Sequence, residues 1–144
     1  MTFNRGLFSS ASGEYTTPRE LYCRLNEEFA FTLDPAATDE NHLCEEYYTE
    51  EDDGLALPWY GSVFVNPPYG RGIIEWVRKC YIESLDHARV VVGLLPSRTD
   101  TKWWHEYVMK ADDIRFLRGR LKFGGSTNSA PFPSCVVVWR RKFE

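Results

Sequence analysis

Apolar residues recur along this chain in two registers, continuous runs and helical stripes, and their order predicts the architecture. Residues 89–95 carry an apolar run that is unbroken once past Arg89, the mark of a strand covered on both faces. Residues 62–65 (Ser-Val-Phe-Val) form a shorter run of the same kind. Between them, Ile73, Ile74, Trp76, Val77, Cys80 and Tyr81 recur at helical spacing, which predicts a crossover helix over residues 72–85 with one face on the sheet. Leu21, Leu25 and Phe29 predict an earlier helix. Its start reads as a capping box, with Thr17 as N-cap, Pro18 in the first turn and Glu20 at the third position. A strand over residues 29–33 is expected to follow, and a later helix carries Trp103, Trp104, Tyr107 and Val108. Strands at 114–117, 121–123 and 135–139, punctuated by Gly119, Gly124 and Gly125, complete the pattern as a terminal hairpin. The sum is an α/β fold, a largely parallel twisted sheet with helices on both faces and an antiparallel hairpin at its end.

Composition adds few constraints. The chain has 144 residues, 43% hydrophobic and 15% aromatic, enough for one proper core. The Ser- and Gly-rich residues 1–14 read as an arm and 15–144 as a single domain; residues 126–133 are a polar, Pro-containing loop. A net charge of −4 excludes a strongly basic nucleic-acid wrapper, so any such surface is a local patch. Arg115, Arg118, Arg120 and Lys122 concentrate positive charge near the end of the chain, and Arg98 and Lys102 follow the second strand. Cys23, Cys44, Cys80 and Cys135 show no CxxC pairing, which predicts reduced thiols and no zinc. No long apolar span or signal peptide is visible. His42, His87 and His105 are isolated from one another and read as surface or helix-end residues.

The chemistry lies where the first buried run stops. Asn66-Pro67-Pro68-Tyr69 removes two N–H donors in succession, so the chain must leave the sheet at Asn66 through a stiff turn. A stiff turn at the carboxyl end of a buried strand is where open α/β sheets place ligands. It offers the Asn66 side-chain carbonyl and the Pro67 backbone carbonyl as acceptors, with the Tyr69 ring beside them. That combination suits an exocyclic amino group on a planar heterocycle: the acceptors take two N–H bonds and the ring takes the face.

This motif resembles that of the amino-methyltransferases dependent on S-adenosylmethionine, in particular the small phage-type DNA N-6-adenine methyltransferases. Asp34-Pro35-Ala36-Ala37 some thirty residues before the turn, with a Thr-Pro helix start ahead of it, matches their layout. The resemblance runs from about Tyr15 to Trp139 and implies a minimal Rossmann-like methyltransferase fold without a separate target-recognition domain. It implies cofactor contacts from Tyr15, Thr17, Pro18, Asp34, Ala36, Ala37, Asp53 and Asn66. Asp34 lacks the glycines that usually follow this position, and Ala36 and Ala37 stand in their place. Trp59, near Asp53, reads as packing. Further implications are catalysis at Asn66, Pro67, Pro68 and Tyr69 by direct in-line methyl transfer to a flipped adenine, DNA contacts from Arg98, Lys102, Arg118, Arg120 and Lys122, and an aromatic partner for the base in Phe123. The setting would be the cytoplasm of a bacterial host, with no membrane contact and the oligomeric state left open. RNA adenine or protein glutamine as acceptor, or an inactive nucleic-acid-binding relative, are the alternatives the same motif allows.

Overall fold

A computed structural model describes residues 15–124 and 128–142 of the chain; the arm at 1–14 and Gly125 lie outside them. Helix α1 (Arg19–Phe29) leads into strands β1 (Leu33–Asp34), β2 (Glu46–Tyr47) and β3 (Gly61–Val65). Helix α2 (Ile73–Asp86) crosses to β4 (Ala88–Pro96). Helix α3 (Lys102–Tyr107), a 3-10 turn (Val108–Lys110), β5 (Asp113–Phe116) and β6 (Ser134–Arg140) follow. The strands make one six-stranded sheet in the order β2-β1-β3-β4-β6-β5. The first four are parallel, and β6 runs antiparallel to both β4 and β5.

The continuous apolar run explains why β4 is central. Val90, Val92 and Leu94 face one layer, and Val91 and Leu95 face the other. On the first layer α1 buries Tyr22, Leu25 and Phe29; on the second α2 buries Ile73, Trp76, Val77 and Cys80. Each such side chain contributes about 1.5–3 kcal/mol relative to exposure, so the pairing of β3, β4 and β6 between two covered faces anchors the fold. Trp59 is fully buried against Trp76, with its indole N–H donating to Gly54 O (2.8 Å).

Glu83 on α2 is 3% exposed and accepts from the Trp59 amide (2.8 Å), Lys79 Nζ (3.0 Å) and His87 Nδ1 (2.7 Å). This one carboxylate ties the loop before β3 to the helix after it.

Three sequence expectations are corrected. Helix α1 starts at Arg19 with Pro18 in the cap position and no side-chain cap; the Thr17 hydroxyl is held elsewhere, and Glu20 pairs with Arg24. The strand expected over 29–33 shrinks to Leu33–Asp34 because the helix continues through Phe29. It ends at Ala30, which adopts a left-handed conformation (φ 50°), and the Asn26 side chain accepts the Phe31 N–H (2.8 Å). Residues 121–123 form no strand. Their backbone is held by the Ala130 N–H to Leu121 O bond (2.8 Å) and by a bridge between Thr16 and Gly124, which turns Phe123 inward.

The chain goes from β1 outward to β2, then returns to lay β3 on the opposite side of β1. The carboxyl ends of β1 and β3 therefore part around a topological switch point, the position at which such sheets bind ligands. Asp34 ends the one strand and Asn66 follows the other.

Candidate functional site

Asn66 emerges from β3 almost fully buried, 3% exposed, and every group of its side chain is oriented. Its Nδ2 donates to the Tyr15 backbone carbonyl (2.8 Å) and to Thr17 Oγ1 (3.0 Å). Its Oδ1 accepts from the Tyr69 hydroxyl (3.0 Å), which also lies 3.2 Å from Leu94 O. The side-chain carbonyl expected to face a substrate is thus engaged by the neighbouring tyrosine. Burial raises the Tyr69 hydroxyl pKa far above that of a free phenol, so it stays protonated and has a proton to donate.

The Tyr69 ring is half-buried among aromatic residues from distant parts of the chain. Its centroid lies 5.4 Å from Tyr15, 6.2 Å from Phe123 and 5.4 Å from Phe132, the last two edge-on. Phe123 is 2% exposed and meets the Tyr15 ring edge-on at 5.2 Å, so this ring is a wall of the site, not an open platform. Phe132, which sequence reasoning did not single out as a site residue, packs directly on Tyr69. Its signal in the sequence was its place in Ala130-Pro131-Phe132, which follows residues 119–123 in the late segment that resembles the family. Beside this group lies a cavity of about 300 Å³ lined by Tyr69, Gly70, Ile73, Pro96, Arg98, Trp103 and Phe132.

At the end of β1, Asp34 is 5% exposed, and its carboxylate accepts from the Ala36 N–H (3.2 Å) and the Leu43 N–H (3.0 Å). The Ala37 N–H goes to Tyr48 O (2.9 Å), so the small residues close the loop between β1 and the end of β2. Burial pushes the Asp34 carboxyl up to about 6 against those two amides, which pull it down. With the ordinary value at 3.8, the folded state holds this proton more tightly than the unfolded chain. Its contribution is therefore complete below about pH 4 and is lost as pH rises through 6, by roughly 3 kcal/mol at 1.36 kcal/mol per pKa unit. Asp34→Asn is expected to remove that slope. Urea melts of both proteins at pH 4 and pH 7 measure it, and an equal gap between them at the two pH values contradicts the assignment.

The remaining candidates are spread more widely. Asp53 is exposed and adopts a left-handed conformation (φ 63°) in the turn after Thr49. Arg98 is exposed on the rim of the cavity with its guanidinium 5.8 Å from the Phe132 ring centroid. Lys102, at the start of α3, pairs with Glu106 at 3.8 Å. Arg118, Arg120 and Lys122 are exposed on the segment after β5. Arg115 does not belong with them. Glu28 holds its guanidinium through two bonds (2.7 and 2.8 Å) and Asp113 through a third (2.8 Å), which neutralises it locally. The four cysteines are free; burial raises the Cys44 and Cys135 thiols to about 11, which keeps them protonated near neutral pH. Among the described residues no group of three His, Cys, Asp or Glu is arranged to hold a metal ion, and no helix is long and apolar enough to cross a membrane.

The strand order, the switch point and the rigid turn at its edge are those of a Rossmann-like methyltransferase fold. The family model described as DNA N-6-adenine-methyltransferase (Dam) matches residues 7–143, and the chain belongs to that family. It is 35% identical over 111 residues to the DNA N-6-adenine-methyltransferase of Escherichia phage T1, an alignment covering 74% of this chain and 45% of that protein. With the DNA N-6-adenine-methyltransferase of Haemophilus phage HP1 (strain HP1c1) it shares 29% over 119 residues, covering 78% of this chain and 68% of the relative. The chain thus spans under half the length of the first relative and about two thirds of the second.

Proposed function

We propose that this chain transfers a methyl group from S-adenosylmethionine to N6 of adenine in DNA, as a single domain over residues 15–144. The observation that carries the reading is the Asn66 carboxamide, whose oxygen is fixed as an acceptor at the switch point beside an aromatic ring. The family to which the chain belongs, and the names of its phage relatives, support the same substrate.

The end of the sheet suits the cofactor. Asp34 is a buried carboxyl poised near neutrality, which a cationic ligand would hold as the anion, and Ala36 and Ala37 add little side-chain bulk beside it. Asp34, Ala36 and Ala37 would hold it from β1, with Tyr15 and Pro18 lying across and Asp53 contributing from the loop beyond β2. When bound, S-adenosylmethionine supplies an electrophilic methyl group on a sulfonium centre.

The protein's own task is to make a poor nucleophile better. The adenine N6 lone pair is delocalised into the ring. Hydrogen bonds from both amino protons to Asn66 Oδ1 and Pro67 O favour a pyramidal nitrogen with a localised pair, and the proline turn holds these acceptors still. No strong base is needed, because the nitrogen becomes acidic only once alkylated and loses its proton to water. A base in duplex DNA is flipped out at a few kcal/mol and stacks on Tyr69. To engage Asn66 it displaces the Tyr69 hydroxyl from Oδ1.

Labelled methyl from S-adenosylmethionine should appear in DNA as N6-methyladenine. Label found only in RNA or on protein glutamine, or none at all, overturns the reading. Arg118, Arg120 and Lys122 face phosphates in this account. Replacing them by Ala is expected to lower the slope of log K against log salt in steps of about 0.9 per lost contact, with cofactor affinity unchanged. An unaltered slope in a fluorescence titration assigns them to ordinary solvated surface.

A further inference from the structure

We propose that Thr17 is a positioning residue for methyl transfer, acting through the carboxamide of Asn66. The proposal rests on the adenine-methyltransferase reading and deepens it.

The two ends of a carboxamide have nearly the same shape and opposite hydrogen-bonding roles. Turned one way, Asn66 offers an acceptor to an adenine amino group; turned the other way, it sets donor against donor. The proline turn stiffens the backbone and leaves this side-chain torsion undetermined. The choice is made by residues 51 and 49 positions away in sequence. The Tyr15 main-chain carbonyl can only accept, so the atom 2.8 Å from it must be Nδ2. Thr17 Oγ1, at 3.0 Å, takes the second N–H of the same group. With both protons committed on that side, Oδ1 points to where the Tyr69 hydroxyl now donates, at 3.0 Å. Donation of both N–H groups also polarises the amide and strengthens Oδ1 as an acceptor. Thr17 is not the cap of α1, so its hydroxyl is available for this role.

The Tyr15 carbonyl cannot be removed by substitution, but the threonine can. Thr17→Val keeps the side-chain shape and deletes the acceptor; Thr17→Ser keeps the acceptor. Thr17→Val is expected to lower kcat about tenfold, the equivalent of one hydrogen bond, while the KM for DNA and the S-adenosylmethionine affinity measured by calorimetry stay within about twofold. Thr17→Ser should recover most of kcat. The Asn66 side-chain amide resonances, assigned by their loss in Asn66→Ala, should shift and exchange faster with water in Thr17→Val and stay near their original positions in Thr17→Ser.

A Thr17→Val protein with wild-type kcat and unmoved Asn66 resonances overturns the proposal and leaves the function intact. Loss of cofactor affinity with full kcat at saturation also overturns it, making Thr17 a direct cofactor contact. A wild-type protein that methylates no adenine overturns the functional reading, and the proposal falls with it.

Discussion

Asn66→Ala is expected to reduce kcat for adenine methylation by about a hundredfold or more, with a smaller effect on the KM for DNA. The substitution removes the oxygen that accepts an amino proton while keeping β3 and both prolines. The acceptor acts most strongly when the amino nitrogen is pyramidal and partly positive, so the loss falls on the transition state. Part of the effect is structural, because the Tyr15 carbonyl and the Thr17 hydroxyl each lose the donor they now accept from. That part should appear as a modest drop in Tm, separable from the kinetics. Asn66→Ser restores a shorter-reaching acceptor and should retain weak activity. Tyr69 gives the complementary test. Tyr69→Ala removes a stacking face worth about 1–3 kcal/mol per base and should raise KM, whereas Tyr69→Phe removes only the hydroxyl that occupies Asn66 Oδ1 and should be mild or slightly favourable. If Asn66→Ala turns over at the wild-type rate while Tyr69→Phe is dead, the roles assigned to the two residues are wrong.

Glu83→Leu should lower Tm by about 10 °C without touching the site. Glu83 is buried and receives the Trp59 amide, Lys79 and His87, so its removal strands a buried N–H and a largely covered ammonium group. Breaking one side of such an arrangement costs about 3 kcal/mol, and each kcal/mol moves Tm by about 2–4 °C in a chain of this size. Burial pushes the Glu83 carboxyl up, while the Trp59 N–H, Lys79 and His87 outweigh it and bring the carboxyl below the ordinary 4.5. For a carboxyl depressed in the folded state, the stabilisation is present above the unfolded value and lost as pH falls through the folded one. The advantage of wild type over Glu83→Gln should accordingly shrink as pH falls below the ordinary 4.5, the opposite direction from Asp34. Calorimetric melts of the three proteins across that range would reveal it, and a gap that widens in acid argues against the network.

The elements that one-dimensional pattern identifies are those whose burial is itself one-dimensional. The apolar run within 89–95 became β4, the stripe from Ile73 to Tyr81 became α2, and the proline stop after Val65 fell at the sheet's switch point. Where one residue type serves two patterns, the reading slipped. Phe29 belongs to the apolar face of α1, yet its position beside Phe31 and Leu33 also reads as a strand start. Thr17 has the sequence context of a helix cap, and only the three-dimensional approach of Asn66, 49 residues later, decides where its hydroxyl goes. Phe123 alternates like a strand residue, but an aromatic group assembled from residues 15, 69, 123 and 132 claims it. Arg115 looked like part of a basic patch because its acidic partner Glu28 lies 87 positions upstream.

The insertion of β6 between β4 and β5 has a consequence for synthesis on the ribosome. Until Ser134–Arg140 has been made, β4 keeps one open edge of apolar residues, and β5 has nothing in the sheet to pair with. Such an edge is a template for intermolecular strand addition. The nascent chain is therefore exposed to aggregation for as long as its longest strand waits for a partner translated some forty residues later. Ribosome-bound chains stalled before residue 134 should bind chaperones and pellet readily, and those stalled far enough beyond residue 140 to clear the exit tunnel should not.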